Sequence, residues 1–216
     1  MRPFSSLGIF YLFLISGILL VPYSNSFAQM QLEYLSSTTG GPATKVIWHD
    51  GFAVAACGAS LCVYDARPGK PVPYKRVYDK SLGARINDMQ VRGSSLFLAL
   101  NDGRITRWSL NNPMVPLPNG NYNPPHFQGA ANDITLTHDT LVVAYTDRIL
   151  VLQELEQIGA QFELLFEFAL QNHEGGHITG GDLRGNWYAF VTGWQGRYYQ
   201  STLQLWDLQT RKRVHF

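Results

Sequence analysis

From Thr44 onward the chain is a succession of short apolar runs, rich in β-branched and aromatic residues and separated by Gly, Asn and Asp. That is the pattern of β-strands joined by tight hairpins. One template recurs four times: an apolar strand, a turn, and a second strand ending on an aromatic or large apolar residue. The copies begin near Lys45-Val46-Ile47, Asn87-Asp88-Met89, Asn132-Asp133-Ile134 and Gly181-Asp182-Leu183. They close on Val63-Tyr64-Asp65, Arg107-Trp108-Ser109, Val151-Leu152-Gln153 and Leu205-Trp206-Asp207. Asp88 to Asp133 is a step of 45 residues and Asp133 to Asp182 one of 49, near the period of a four-stranded propeller blade. The pattern predicts an all-β fold, a β-propeller of about four blades over 44–80, 84–128, 131–172 and 177–216.

Within the second unit, strands are expected over 86–91, 95–100 and 104–110, with Asn101-Asp102-Gly103 as the turn between the last two. Asp-Gly between alternating apolar residues is a strong hairpin signal. Outer fourth strands are expected over 72–78, 162–170 and 212–216. The stretch 111–129 carries Pro113, Pro116, Pro118, Pro124 and Pro125, and proline cannot donate to a sheet ladder, so a loop is expected there in place of the second outer strand.

The unit running from Gly176-His177 to Trp206-Asp207 resembles the WD-repeat signature, in which a Gly-His pair precedes the inner strand and a Trp-Asp pair ends the third. The segment from Asn101 to Leu110, Asn-Asp-Gly-Arg-Ile-Thr-Arg-Trp-Ser-Leu, is similar to the third-strand segment of the same family, and Leu61-Cys62-Val63-Tyr64-Asp65-Ala66 is a weaker copy. The resemblance covers Thr44 to the end and is to the broad WD-like or quinoprotein-like propeller group. It implies a radial stack in which every blade needs two neighbours. Four units must therefore close as a small ring, pair with another chain, or belong to a longer ring. The last is the expectation here, with 31–36 as a closing outer strand.

The first residues read as a leader. Arg2 precedes an apolar run from Leu7 to Val21, and Ser-Phe-Ala at 26–28 suits a signal peptidase, so cleavage after Ala28 and a secreted or periplasmic location are expected. The run is too short for a spanning helix and is interrupted by Pro22. Without Arg2 the 17 basic side chains become 16 against 16 acidic ones, a balance that recruits no nucleic acid. The two cysteines, Cys57 and Cys62, bracket four residues. As ends of a hairpin loop they would face each other and permit a disulfide in an oxidising compartment; the other reading is two buried free thiols.

Several residues are candidates for chemistry. His173-Glu174-Gly175-Gly176-His177 matches the zinc-protease string His-Glu-x-x-His, but its two glycines disfavour the required helix by about 1 kcal/mol each relative to Ala. It reads as a loop between blades. Asp88, Asp133 and Asp182 recur at one inner-strand position, either as a carboxylate ring around the channel or as caps bonding backbone amides of their own loops, the reading preferred. Trp194, Arg197 and Tyr198 sit in a long hairpin loop expected on the same rim as His173 and His177, and Trp, Tyr and Arg dominate interaction hot spots. The expected function is an exported, non-catalytic scaffold that binds a protein or peptide through that rim, without metal or cofactor, and self-association could complete the ring. The alternative is a quinoprotein- or lactonase-like enzyme with its site at the channel mouth around the three aspartates.

Overall fold

A computed structural model describes residues 43–69, 74–125, 129–137, 139–155, 162–170, 177–193 and 201–214. The expected leader and the 31–36 closing strand lie outside these residues. Sixteen strands are found among the described residues: β1 (Ala43–His49), β2 (Phe52–Cys57), β3 (Ser60–Asp65), β4 (Lys75–Ser81), β5 (Ile86–Arg92), β6 (Ser95–Leu100), β7 (Ile105–Ser109), β8 (Leu117–Tyr122), β9 (Ala131–Leu136), β10 (Thr140–Tyr145), β11 (Arg148–Glu154), β12 (Phe162–Ala169), β13 (His177–Arg184), β14 (Trp187–Gly193), β15 (Ser201–Asp207) and β16 (Lys212–Val214). They form four antiparallel sheets of four strands, each a meander in chain order. The architecture is that of four consecutive blades of a β-propeller. No helix among the described residues is long and apolar enough to cross a membrane.

Packing explains why the second strand of a middle sheet is an unbroken apolar run instead of an alternation. In β6, Leu96, Phe97, Leu98, Ala99 and Leu100 are all fully buried, and β10 repeats this from Leu141 to Tyr145. The even positions of β6 pack back on the first sheet with Val54, Ala56, Leu61 and Val63. The odd ones, Phe97 and Ala99, pack forward on the third sheet with Ile134, Leu141 and Val143. A strand buried on both faces reads as continuously apolar. A third apolar cluster joins Val142, Ala144, Ile149 and Val151 to Ile178, Tyr188 and Phe190 of the fourth sheet. Each large side chain so buried stabilises the fold by roughly 1.5–3 kcal/mol. Four sheets thus share three apolar interfaces among the described residues, and β14 of the last sheet alternates between exposed and buried positions.

The Asn101-Asp102-Gly103 turn forms as expected. Gly103 has φ +87°, and a Cβ there would lie 2.6 Å from the Gly129 carbonyl oxygen, so the turn needs glycine for conformation and for space. The Tyr145 hydroxyl donates to the Gly103 carbonyl at 2.9 Å, fastening this turn to the third sheet.

Two expectations are corrected. The proline-rich stretch does supply an outer strand, β8, with Pro118 opposite Trp108; an edge strand has one side without ladder bonds, which is where proline is tolerated. The hairpin between β2 and β3 has only Gly58-Ala59 as its loop, so Cys57 faces Ser60 and Cys62 faces Ala55. The two cysteines are diagonal neighbours instead of a facing pair, and of the two readings it is the free thiols that the structure holds. Burial, followed by the neighbouring Cys57, pushes the Cys62 thiol up to about 12.

Candidate functional site

The inner strands are linked by a repeated side-chain clasp. Near the start of each inner strand one residue is bulged out of the ladder: Thr44, Asn87, Asn132 and Thr179. A bulge re-aims its side chain, and here it reaches the next sheet. Thr44 Oγ1 donates to the Ile86 carbonyl at 3.2 Å, Asn87 Nδ2 to the Ala131 carbonyl at 2.8 Å, and Asn132 Nδ2 to the Ile178 carbonyl at 2.7 Å. Each acceptor immediately precedes the next bulged residue.

The residue after each bulge, Lys45, Asp88, Asp133 or Gly180, forms a second row. Lys45 Nζ donates to Asp88 Oδ1 at 2.5 Å, with the aspartate almost completely buried. Asp88 Oδ2 accepts from the Ile134 amide at 3.0 Å, and Asp133 Oδ2 from the Gly181 amide at 3.2 Å. Asp88 and Asp133 therefore do bond backbone amides, but those of the next inner strand instead of their own loops. Burial in the first place, and the adjacent Asp88 carboxylate in the second, raise Asp133 from 3.8 to about 6.

Asp182 does not belong to this row. The bulge at Thr179 pairs Gly180 with Val191, the place where Asp88 pairs with Ala99 and Asp133 with Ala144. The apolar pattern alone places the fourth unit's member of this row at Asp182, two residues too far along. Its carboxylate is exposed and accepts from the Leu183 amide at 2.8 Å. No group of three or more His, Cys, Asp or Glu side chains among the described residues is placed to hold a metal ion. Gly181 has its own role: a Cβ there would collide with the Tyr188 hydroxyl, which is fully buried and has no hydrogen-bond partner among the described residues. Burial and the nearby Asp133, Asp182 and Asp88 carboxylates raise that phenol well above its ordinary range.

Of the rim residues expected to bind, His177 opens β13 and is exposed, whereas His173, Trp194, Arg197 and Tyr198 lie outside the described residues. At the opposite end of β13 a groove of about 400 Å³ opens between the third and fourth sheets. Val151, Phe166, Leu183 and Leu208 form its apolar floor, with Asn186 and Gln209 on its edge; Asn186 Nδ2 donates to Gln209 Oε1 at 2.9 Å. Leu165, 41% exposed, is bulged out of the pairing between β11 and β12 at its side. The sequence offered no signal for this groove, since its walls come from strands of two sheets. Near the same ends of the second and third sheets, Glu154 is held between Arg107, 2.6 Å away, and Arg92. Arg92 also donates to the Thr137 carbonyl at 2.7 Å.

No protein-family model and no curated protein matches the chain. Solved structures do. A computationally designed protein, Ika8, superposes with a TM-score of 0.57 at 13% identity, over 77% of this chain and 46% of that one. The N-terminal domain of Nup159 gives 0.55 at 12%, over 76% and 44%, and the WD40 repeats of RRP9 give 0.58 at 12%, over 83% and 52%. At these identities the likeness is one of fold. The chain spans about half the length of the solved chains it matches.

Proposed function

We propose that this chain is a non-catalytic β-propeller that binds a protein or peptide segment, with the groove between the third and fourth sheets as its contact site. The observation that carries this reading is the groove itself. An apolar floor bounded by an amide pair suits an extended segment that inserts an apolar side chain and bonds its backbone at the edge. The inner aspartates support the same reading, because Asp88 spends its two oxygens on Lys45 and the Ile134 amide, and Asp133 one of its own on the Gly181 amide, bonds that tie the sheets together. We place the protein outside the cytoplasm on the strength of its leader-like first residues.

The test is a peptide-display selection on the purified chain, followed by fluorescence anisotropy with the enriched peptides. Leu183→Asp and Leu165→Asp should each weaken binding at least tenfold, a loss of about 1.4 kcal/mol, while Trp194→Ala and Tyr198→Ala leave it unchanged. The reverse result would move the contact to the other rim. Elemental analysis and an absorbance spectrum address the enzyme alternative: a stoichiometric metal or chromophore would overturn the scaffold reading.

A further inference from the structure

Among the described residues the four sheets leave two faces uncovered, and positional equivalence shows what each lacks. Call the face of a sheet that packs on the following sheet its front, and the other its rear. On the fronts of the first three sheets, the paired positions Ala56 and Leu61, Ala99 and Ile105, and Ala144 and Ile149 are at most 1% exposed. Their counterparts on the fourth sheet, Val191 and Leu203, are 42% and 66% exposed. On the rears, Met89 and Ile134 are fully buried, while Val46 at the equivalent place in the first sheet is 57% exposed. Trp48, two residues on, is 60% exposed.

The two open faces also exchange bulk. Where the other fronts carry alanine, the fourth carries Val191. Where the other rears carry Leu96 and Leu98, Leu141 and Val143, or Tyr188 and Phe190, the first sheet carries Ala53 and Ala55 opposite Trp48 and Val46. A front that is larger and a rear that is smaller than their internal counterparts fit each other better than either fits an internal face. The clasp is interrupted at the same place. Thr179, the last bulged residue, is exposed and its hydroxyl bonds the Val191 carbonyl of its own sheet. Nothing among the described residues uses the Ala43 carbonyl as Ile86, Ala131 and Ile178 are used.

We propose that the occupant of each open face is a second copy of this chain. The front of the fourth sheet docks on the rear of the partner's first sheet, twice, around a two-fold axis. Head-to-tail interfaces close into a ring when the rotation per subunit divides the circle. The arc aligns with 44–52% of longer propeller chains, so two copies supply about one full circuit. In such a ring Thr179 of one copy would donate to the partner's Ala43 carbonyl, restoring the clasp.

Multi-angle light scattering and sedimentation velocity on the full chain, up to ~50 µM so that mass action favours association, should give twice the chain mass. Leu203→Asp and Val46→Asp, both at positions already exposed in one copy, should each give a monomer with the wild-type far-ultraviolet dichroism. An equimolar mixture of the two should recover dimer, because the intact front of the Val46→Asp copy meets the intact rear of the Leu203→Asp copy. A wild-type monomer throughout that range would overturn the proposal and assign the faces to further sheets or to another protein. So would a dimer that either variant leaves intact.

Discussion

Asn87 donates from its side-chain amide to the carbonyl of Ala131 at 2.8 Å, across 44 residues of sequence. It is the middle of three equivalent bonds that fasten each inner strand to the next. Asn87→Ala leaves a part-buried carbonyl without its donor, so urea titration should show a loss of about 1–2 kcal/mol, with Asn132→Ala similar. An unchanged midpoint in both would show that the bulged residues do not hold the sheets together.

Asp133 makes stability depend on pH. Its carboxyl is raised to about 6 in the folded chain, by burial and then by Asp88. The fold therefore favours the protonated form, and the associated stability is fully present below about pH 4 and is lost as pH rises through 6. Asp133→Asn keeps an oxygen for the Gly181 amide and removes the charge. At pH 8 it should unfold at higher denaturant than wild type, by about 2 kcal/mol, and the gain should shrink toward pH 4. A gain that is constant with pH would refute the assignment.

Gly181 and Tyr188 should behave as a coupled pair. Gly181→Ala forces its methyl group into the Tyr188 hydroxyl, at a cost of about 1–3 kcal/mol. Tyr188→Phe removes a buried hydroxyl that has no partner among the described residues and should be neutral or slightly stabilising. Because the Tyr188 ring carbon Cζ at 2.4 Å and the Ala189 carbonyl oxygen at 2.9 Å stay in the way, the double variant should recover only part of the Gly181→Ala loss in a thermodynamic cycle; full recovery would show that the hydroxyl alone is the obstacle, and simple additivity that it is none.

Glu154 neutralises two partly buried guanidinium groups that join the second and third sheets. Glu154→Gln leaves Arg92 and Arg107 facing each other with less solvent than they need, and burial already lowers the affinity of both for their protons. Thermal unfolding should report a loss of about 2–3 kcal/mol. Added salt should reduce the difference only weakly, because the side chain of Glu154 is 9% exposed.

The amino-acid sequence by itself determined the strands, their hairpins and the fourfold repeat, because these are set over a few residues: alternation, β-branched runs such as Leu141 to Tyr145, and turns such as Asp102-Gly103. It also identified Asp88 and Asp133 as equivalent. Only the tertiary structure decided that Gly180 and not Asp182 completes that row, because the pairing of Gly180 with Val191 fixes the register, whereas an offset of two residues leaves every side chain on the same face and the alternation along the strand does not reveal it. The place of Pro118 in an edge strand, the diagonal of Cys57 and Cys62, and the groove above Phe166 and Leu183 were decided there too. Each depends on which backbone lies alongside at a distance of tens of residues, and local preference carries no record of that neighbour.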